Sequence, residues 1–224
     1  MSAQSSLFNT STFTAFIVSA IAGFSDVFGF IALQQLFTAH ITGNIVMVIS
    51  YAISHTPGIT SRIIAIPVFV VIAILVSVII ENNGVSKNTY RLWLLIEAVL
   101  FLGLMIAGIG LKQSMHEGSA TFVLVAMLPV TAMAIHNTIM KTYLSQLPPT
   151  TVMTGNLTQF VVDCTALLVT KKLRSGRRHK RLIKVGWVLA GFVVGGSLSL
   201  TYLWMHFYAV SLVIILIVMA MVKL

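Results

Sequence analysis

Residues 22–46 read AGFSDVFGFIALQQLFTAHITGNIV, and residues 132–158 read AMAIHNTIMKTYLSQLPPTTVMTGNLT. In both stretches a polar pair or triplet lies inside a long apolar run. A short break follows, and Thr-Gly-Asn then opens another apolar segment. Because two complex patterns of the same order rarely arise by chance in one short chain, the sequence predicts an internal duplication.

The spacing within the two copies agrees closely. Asp26 precedes Thr42 by 16 residues, and His136 precedes Thr154 by 18 residues. A difference of two residues fits a small insertion in the loop that contains Pro148 and Pro149. Each copy is followed by two further apolar segments, which predicts two repeat halves, at about residues 11–111 and 119–223.

The composition excludes a soluble protein. Among 224 residues, 58% are hydrophobic and only 8% are charged, and the mean hydropathy is +0.99. A water-soluble domain carries about a quarter charged residues, so a soluble enzyme or a nucleic-acid-binding domain is ruled out. We predict an all-α, polytopic transmembrane bundle that forms a single membrane domain over residues 1–224. At about 20 residues per span, the length leaves no room for an appended soluble domain.

The sequence is compatible with either eight or six membrane crossings. We favour about eight helices, arranged as four plus four with the halves in the same orientation. Segment two is short for a bilayer core of ~30 Å. If the Thr-Gly-Asn segments dip in and return, six crossings remain and the halves become inverted repeats of three. The apolar segments run at about Thr12–Leu33, Ile41–Ser54, Arg62–Ile80, Leu92–Leu111, Thr121–Leu144, Val152–Thr170, Val185–Leu203 and Phe207–Val222.

The positive charge is concentrated in one place. The net charge is +9, and eight of the 14 basic residues lie between Lys171 and Lys184, with apolar segments on both sides. By the positive-inside rule, this run predicts a cytoplasmic loop at residues 171–184. A role in binding lipid headgroups is the alternative, and we expect no nucleic-acid partner. The single cysteine, Cys164, excludes a disulfide framework and a cysteine-based metal site.

Three of the five acidic residues lie inside apolar segments: Asp26, Glu97 and Asp163. An ionised carboxylate in hydrocarbon costs several kcal/mol, so each must face the bundle interior, find a partner or stay protonated. The functional interpretation is an ion, proton or substrate site, and the alternative is a structural carboxyl that binds a neighbouring helix. For Glu97 we expect a place near the interface and a pairing with Arg91.

The two Thr-Gly-Asn motifs predict helices that begin or break within the membrane. Glycine tolerates unusual backbone geometry, and threonine and asparagine can bind backbone groups that a helix end leaves free. Such breaks form small ion or substrate sites in transporters, although an ordinary helix start packed on its neighbour would look the same. The residues concerned are Thr42, Gly43 and Asn44 in the first half and Thr154, Gly155 and Asn156 in the second.

The second motif continues into a polar stripe. Asn156, Gln159 and Asp163 stand at i, i+3 and i+7, which places them on one face of a helix. The same offsets in the first half give Met47 and Tyr51 after the asparagine, so that copy is mostly apolar. If a cavity lies between the halves, one wall would therefore be polar.

Histidines provide further candidates. His136 stands beside Asn137 inside segment five, and His40 comes just before the first Thr-Gly-Asn motif. A neutral histidine can act in a proton relay, although a structural hydrogen bond is the commoner role. No spacing supports a metal site, and we expect no cofactor.

Small residues recur every fourth position on segments one and seven. Ser19 and Gly23 form one such pair, and Gly191, Gly195 and Ser199 form the other series. Because small side chains let helices approach closely, we predict packing interfaces at these positions.

The chain resembles the bacterial YoaK-type membrane family, a domain of unknown function. The resemblance rests on the runs from Ala22 to Asp26, from Thr42 to Asn44 and from Met153 to Asn156, and it covers nearly the whole chain. It implies a bacterial inner-membrane protein with a duplicated Thr-Gly-Asn motif and offers no catalytic residue. The family commonly has glutamine beside the asparagine of the second half, where this chain has His136.

These observations favour a small secondary transporter that uses intramembrane carboxylates. We expect no enzymatic activity, a lipid bilayer as the main partner and a small molecule or ion as the substrate. The alternative is a scaffold, lipid-binding or accessory protein that acts through its basic loop. The candidate substrate- or ion-binding residues are Asp26, Thr42, Gly43, Asn44, His136, Asn137, Thr154, Gly155, Asn156, Gln159 and Asp163.

Overall fold

The fold is a bundle of helices, and no strand occurs in the part of the chain that the structure describes. The computed structural model describes residues 11–54, 59–116, 118–170 and 176–223. This confirms the predicted all-helical class. The helices are α1 (Thr12–Ala32), α2 (Ile41–Ser54), α3 (Ile59–Asn83), α4 (Lys87–Gly110), α5 (Ala120–Tyr143), α6 (Met153–Thr170), α7 (Arg177–Ser199), α8 (Tyr202–Met205) and α9 (Val210–Lys223), with 3₁₀ turns at Lys112–Ser114 and His206–Ala209.

Serine side chains begin several of the long helices. Ser11, Ser86 and Ser119 precede α1, α4 and α5, and each hydroxyl accepts a hydrogen bond from the backbone N–H three residues later. This satisfies one of the N–H groups that every helix start leaves without a partner. The sequence therefore defines these starts locally, before any tertiary contact forms.

Five stretches of the described residues are long and apolar enough to cross a membrane. Many of their large apolar side chains are exposed, as expected for surfaces that contact lipid. The short helix α2 has 14 residues and is about 21 Å long, less than a bilayer core of ~30 Å. The five stretches are Thr12–Ala32, Ile59–Asn83, Lys87–Gly110, Ala120–Tyr143 and Arg177–Lys223.

The last stretch is a hairpin. The ring of Phe207, between α7 and α9, lies 5.9 Å from that of Phe28 near the end of α1. At the far end of α9, the Lys223 ammonium lies 5.4 Å from the ring of Phe13, at the start of α1. Helix α9 therefore runs antiparallel to α1, and the turn predicted near residues 204–206 is confirmed.

Helices α1 and α7 are parallel and unusually close. A Cβ added to Gly191 or Gly195 would lie under 3.0 Å from the backbone carbonyls of Phe16 and Ala20, respectively. The same holds for Gly23 against the backbone of Phe192 on α7. The predicted packing of small residues is thus confirmed, because only a missing side chain permits this approach.

Helix α2 returns to the end of the bundle where α1 ends. Gln34 and Gln35 follow directly after α1. The hydroxyl of Tyr51, near the end of α2, donates to Gln35 Oε1 at 2.6 Å, and the guanidinium of Arg62, in the first turn of α3, donates to the carbonyl of Gln34. A crossing by α2 would place these partners at opposite faces of the membrane.

Helices α4 and α5 are antiparallel, and α5 ends at the other end of the bundle. The rings of Tyr90 and Tyr143, at the start of α4 and the end of α5, lie 5.3 Å apart. Gly108, near the end of α4, contacts the ring of Phe207, which itself packs near the end of α1. The end of α5 is therefore opposite to the end of α1.

Helix α6 returns in the same way, but at this opposite end. Gln146, just after α5, shares a cleft with Arg181 and Lys184 at the start of α7. The guanidinium of Arg181 also binds Asp163 on α6. The favoured prediction of eight crossings is therefore not supported, since neither α2 nor α6 carries the chain from end to end. In the described residues the chain passes six times lengthwise, through α1, α3, α4, α5, α7 and α9.

Candidate functional site

The connection between α1 and α2 folds back onto Asp26. The Asp26 carboxylate, which is 4% exposed, accepts hydrogen bonds from the backbone N–H groups of Ala39 at 2.7 Å and His40 at 3.3 Å. Its second oxygen pairs with Nδ1 of the His40 ring. The predicted site residue Asp26 is thus buried beside His40, the histidine that comes just before the first Thr-Gly-Asn motif.

His40 lies in the connection, outside the spanning helices. The hydrogen bond to the Asp26 carboxylate raises the pKa of His40 above its ordinary value of 6.5, although partial burial opposes this. The ring also hydrogen-bonds to the backbone of Thr151, in the connection between α5 and α6. His40 therefore joins the two connections that precede the Thr-Gly-Asn motifs.

Asn137 holds the second connection. The Thr151 hydroxyl donates to Asn137 Oδ1 at 2.6 Å, and the Asn137 amide donates to the carbonyl of Met133 on its own helix. A continuous set of contacts consequently leads from Asp26 through His40 and Thr151 to Asn137. The structure thus connects two predicted site residues, Asp26 and Asn137, through His40 and Thr151.

The asparagines of the Thr-Gly-Asn motifs have a structural role. Asn44 accepts from the N–H of Phe37 at 3.0 Å and donates to its carbonyl at 2.7 Å. Asn156 donates to the carbonyl of Pro149 at 2.6 Å, again seven residues upstream. Both side chains are buried. They hold the preceding connection against the start of α2 or α6, and Asn44 does not line the cavity beside Asp26.

A cavity of about 530 Å³ lies where the two connections meet. Asp26, His40, Thr42 and Gly43 come from the first half of the chain, and Met153 and Phe192 from the second. Most of the wall is apolar, and the Asp26–His40 pair supplies its ionisable groups. Of the second motif, Thr154 and Gly155 are exposed in the first turn of α6, and neither lines this cavity.

Asp163 lies in a different place. Its carboxylate is 2% exposed and accepts two bonds from the Arg181 guanidinium, at 2.8 and 2.6 Å. The bond from Arg181 lowers the pKa of Asp163, and Gln159 adds a further hydrogen bond. The predicted stripe of Asn156, Gln159 and Asp163 therefore does not face the cavity. Asn156 and Gln159 line a separate cleft beside α7.

His136 and Glu97 form a second buried pair. Nδ1 of His136 on α5 lies 3.0 Å from Oε1 of Glu97 on α4, and both side chains are fully buried. The predicted pairing of Glu97 with Arg91 is therefore wrong, because Glu97 points to α5 and not to the interface. His136 Nε2 and Glu97 Oε2 have no hydrogen-bond partner among the described residues.

The sequence interpretation missed the role of Arg62. This residue is 1% exposed, and its guanidinium lies 4.3 Å from the centre of the Tyr51 ring. A charged residue at the start of a long apolar helix was the available signal. In the described residues, no group of three or more His, Cys, Asp or Glu side chains could hold a metal ion.

The predicted basic loop lies partly in a helix. Arg177, Lys180, Arg181 and Lys184 stand in the first turns of α7. Helix α7 packs on α6, and the basic side chains on this face line a cleft between the two helices. The remainder of the run, at residues 171–175, lies outside the described residues.

Comparison with known proteins gives one match. The family model described as "Protein of unknown function (DUF1275)" matches residues 14–222. No curated protein and no solved structure matches the chain. The family match confirms the predicted resemblance to an uncharacterised family. The chain therefore belongs to the DUF1275 family.

Proposed function

We propose that this protein is a small proton-coupled secondary transporter of the bacterial inner membrane. Its substrate site is the cavity beside Asp26, and the Asp26–His40 pair carries the proton. The observation that supports this most strongly is the meeting of the two helix connections at a cavity that contains a buried carboxylate. Intramembrane ionisable groups beside interrupted helices are typical of transporters.

We further propose that the two halves are inverted repeats of three crossings each, with α2 and α6 as re-entrant helices. The packing partners support a duplication. Helix α1 contacts α7 and α9, and its counterpart α5 contacts α3 and α4. Helix α2 packs on α3, and its counterpart α6 packs on α7. In such transporters the substrate site lies between the repeats, near the middle of the membrane.

The distribution of charge supports the same orientation. Lys87 and Arg91 at the start of α4, Lys141 at the end of α5 and the basic residues of α7 lie at one end of the bundle. By the positive-inside rule, this end faces the cytoplasm. Eight alternating crossings would instead divide these residues between the two faces.

The cavity favours a small substrate with an apolar body. Phe30, Phe37 and Phe192 supply aromatic walls, and the N-termini of α2 and α6 approach the cavity through Thr42, Gly43 and Met153. Helix N-termini carry partial positive charge, so they would stabilise a bound anionic group. Proton transfer at His40 would change the net charge of the cavity wall that contacts the substrate.

The test is charge movement in reconstituted proteoliposomes. Solid-supported-membrane currents are recorded across a pH gradient with a panel of small aromatic amines, amino acids and carboxylates. We expect a compound that evokes current in the wild type, with the current lost in Asp26→Asn and His40→Gln. Glu81→Gln is the matched control, because Glu81 is exposed at the end of α3 and should retain the current. Undiminished current in Asp26→Asn, or no current from any compound, would contradict the proposal.

A further inference from the structure

A second cavity, the basic cleft, lies at the end of the bundle where α5 ends. It has a volume of about 570 Å³ and lies between α6, the start of α7 and the connection after α5. Four basic side chains line it: Arg177, Lys180, Arg181 and Lys184. They recur at three- and four-residue intervals, which places them on one face of α7.

The positive charge of this cleft is largely uncompensated. Asp163 binds the guanidinium of Arg181 through both carboxylate oxygens. Arg177, Lys180 and Lys184 form no ion pair with any acidic residue that the structure describes. Three cations therefore remain around a space that is otherwise lined by polar and apolar side chains. Helix α7 also begins beside this cleft after Gly176, and the partial positive charge of a helix N-terminus adds to that of the basic side chains.

The equivalent place in the first half is closed. Tyr51 follows Asn44 by seven residues, as Asp163 follows Asn156. There, Arg62 is buried, donates to the carbonyl of Gln34 and lies over the Tyr51 ring. In the second half, Asp163 instead holds Arg181 against α6, and the cleft stays open. The difference between the halves is thus an open site with excess positive charge.

We propose that the basic cleft binds a phosphate-bearing anion. Phosphate carries the concentrated negative charge that three closely spaced cations require, and Lys and Arg are its usual protein partners. The volume suits a small phosphoester or a single lipid headgroup. The apolar side chains of Leu147, Val152 and Val185 in the same wall fit the glycerol or acyl portion. This inference does not rest on the proposed transport activity.

The experiment measures ligand-induced thermal stabilisation of the full-length protein in nanodiscs. One arm adds soluble glycerol phosphate to nanodiscs of neutral phosphatidylcholine, and the other replaces part of that lipid with phosphatidylglycerol. We expect stabilisation in at least one arm, and the arm that responds identifies a soluble phosphoester or a lipid headgroup. In Lys180→Gln/Lys184→Gln the concentration required should rise about tenfold or more, because two of the cations that line the cleft are lost.

Arg178→Gln is the matched control. Arg178 is exposed on the same turn of α7, but it does not line the cleft. It should keep the wild-type response, and the unliganded melting temperatures of the variants show whether each is folded. If Arg178→Gln and the double variant lost the stabilisation by the ligand equally, the effect would be general charge attraction, and the proposal would be overturned. Absence of stabilisation in both arms would overturn it as well.

Discussion

At the scale of single residues, Asn44 and Asn156 explain why the Thr-Gly-Asn motif occurs twice. Each asparagine holds the backbone seven residues upstream, which turns an open connection into a compact one. A buried backbone group without a partner is costly in a protein interior and more so within a membrane. The asparagine side chain therefore supplies a hydrogen bond that a regular helix would not provide at this position.

Asn44→Ala should destabilise the protein more than Asn156→Ala. Asn44 satisfies both the N–H and the carbonyl of Phe37, whereas Pro149 has no N–H, so Asn156 satisfies only a carbonyl. With ~1–3 kcal/mol for each backbone group left unsatisfied, we expect a loss of about 2–6 kcal/mol for Asn44→Ala and about half for Asn156→Ala. Unfolding of both variants in the same detergent measures the difference. The reverse order would show that these hydrogen bonds are not the main role of the motif.

The pairing of His40 with Asp26 predicts a dependence of stability on pH. The pKa of His40 in the folded protein is raised above 6.5. The contribution of His40 to stability is therefore complete below the pKa of the unfolded state, and it is lost as the pH rises through the pKa of the folded state. The wild type should therefore exceed His40→Gln in melting temperature by more at about pH 6 than at about pH 9. An advantage that is constant or that grows with pH would contradict the assignment.

At the scale of secondary-structure elements, the contact of α1 with α7 sets how closely the halves approach. Gly195→Ala places a methyl group under 3.0 Å from the backbone carbonyl of Ala20, and backbone cannot move as a side chain can. We expect a loss of about 1–3 kcal/mol from overpacking. Gly103→Ala is the control, because its methyl group would meet only Leu128 Cδ1 at 3.7 Å.

That control should be neutral or stabilising by up to ~1 kcal/mol, since alanine favours a helix over glycine. Unfolding in detergent compares the two variants. If Gly195→Ala were as stable as Gly103→Ala, the close approach of α1 and α7 would be wrong.

Helices α4 and α5 are joined by the Glu97–His136 pair. Glu97→Ala leaves His136 buried without its partner, and removal of one member of a buried pair typically costs ~3–5 kcal/mol. Glu97→Gln keeps a hydrogen-bonding group and should lose less. The control Glu81→Ala removes an exposed carboxylate and should change the unfolding free energy by less than ~0.5 kcal/mol. Equal stability of Glu97→Ala and Glu81→Ala would refute a stabilising pair.

At the scale of the whole molecule, the six lengthwise passes predict which loops share a membrane face. Single cysteines are introduced at Asn83, Gln113 and Arg178 in a Cys164→Ser background and labelled in intact cells with an impermeant maleimide. We expect Asn83→Cys and Arg178→Cys to react from the same face, because α3 ends where α7 starts, and Gln113→Cys from the other. Eight crossings would instead place Gln113→Cys with Arg178→Cys, so the two arrangements give opposite results.

The sequence comparison of the two stretches is shifted by one residue from the alignment that the helix ends give. It set Asp26 opposite His136. In the structure, Asn137 precedes the C-cap Leu144 by seven residues, as Asp26 precedes the C-cap Leu33. Asn137 also binds the following connection, whereas His136 faces α4. A shift of one residue turns a helical side chain by about 100°, so only the packed helices show which face meets which neighbour.

The amino-acid sequence by itself determined the helical membrane character, the small-residue interface, the three carboxylates within apolar segments and both motif positions. These follow from composition and short-range patterns, which act before the chain is folded. Only the tertiary structure decided that α2 and α6 turn back, that Glu97 pairs with His136 and that Asp163 is bound by Arg181 away from the cavity. The reason is that these outcomes depend on contacts between residues distant in the chain. An apolar helix of 14–18 residues can end on either side until its neighbours supply hydrogen-bond partners.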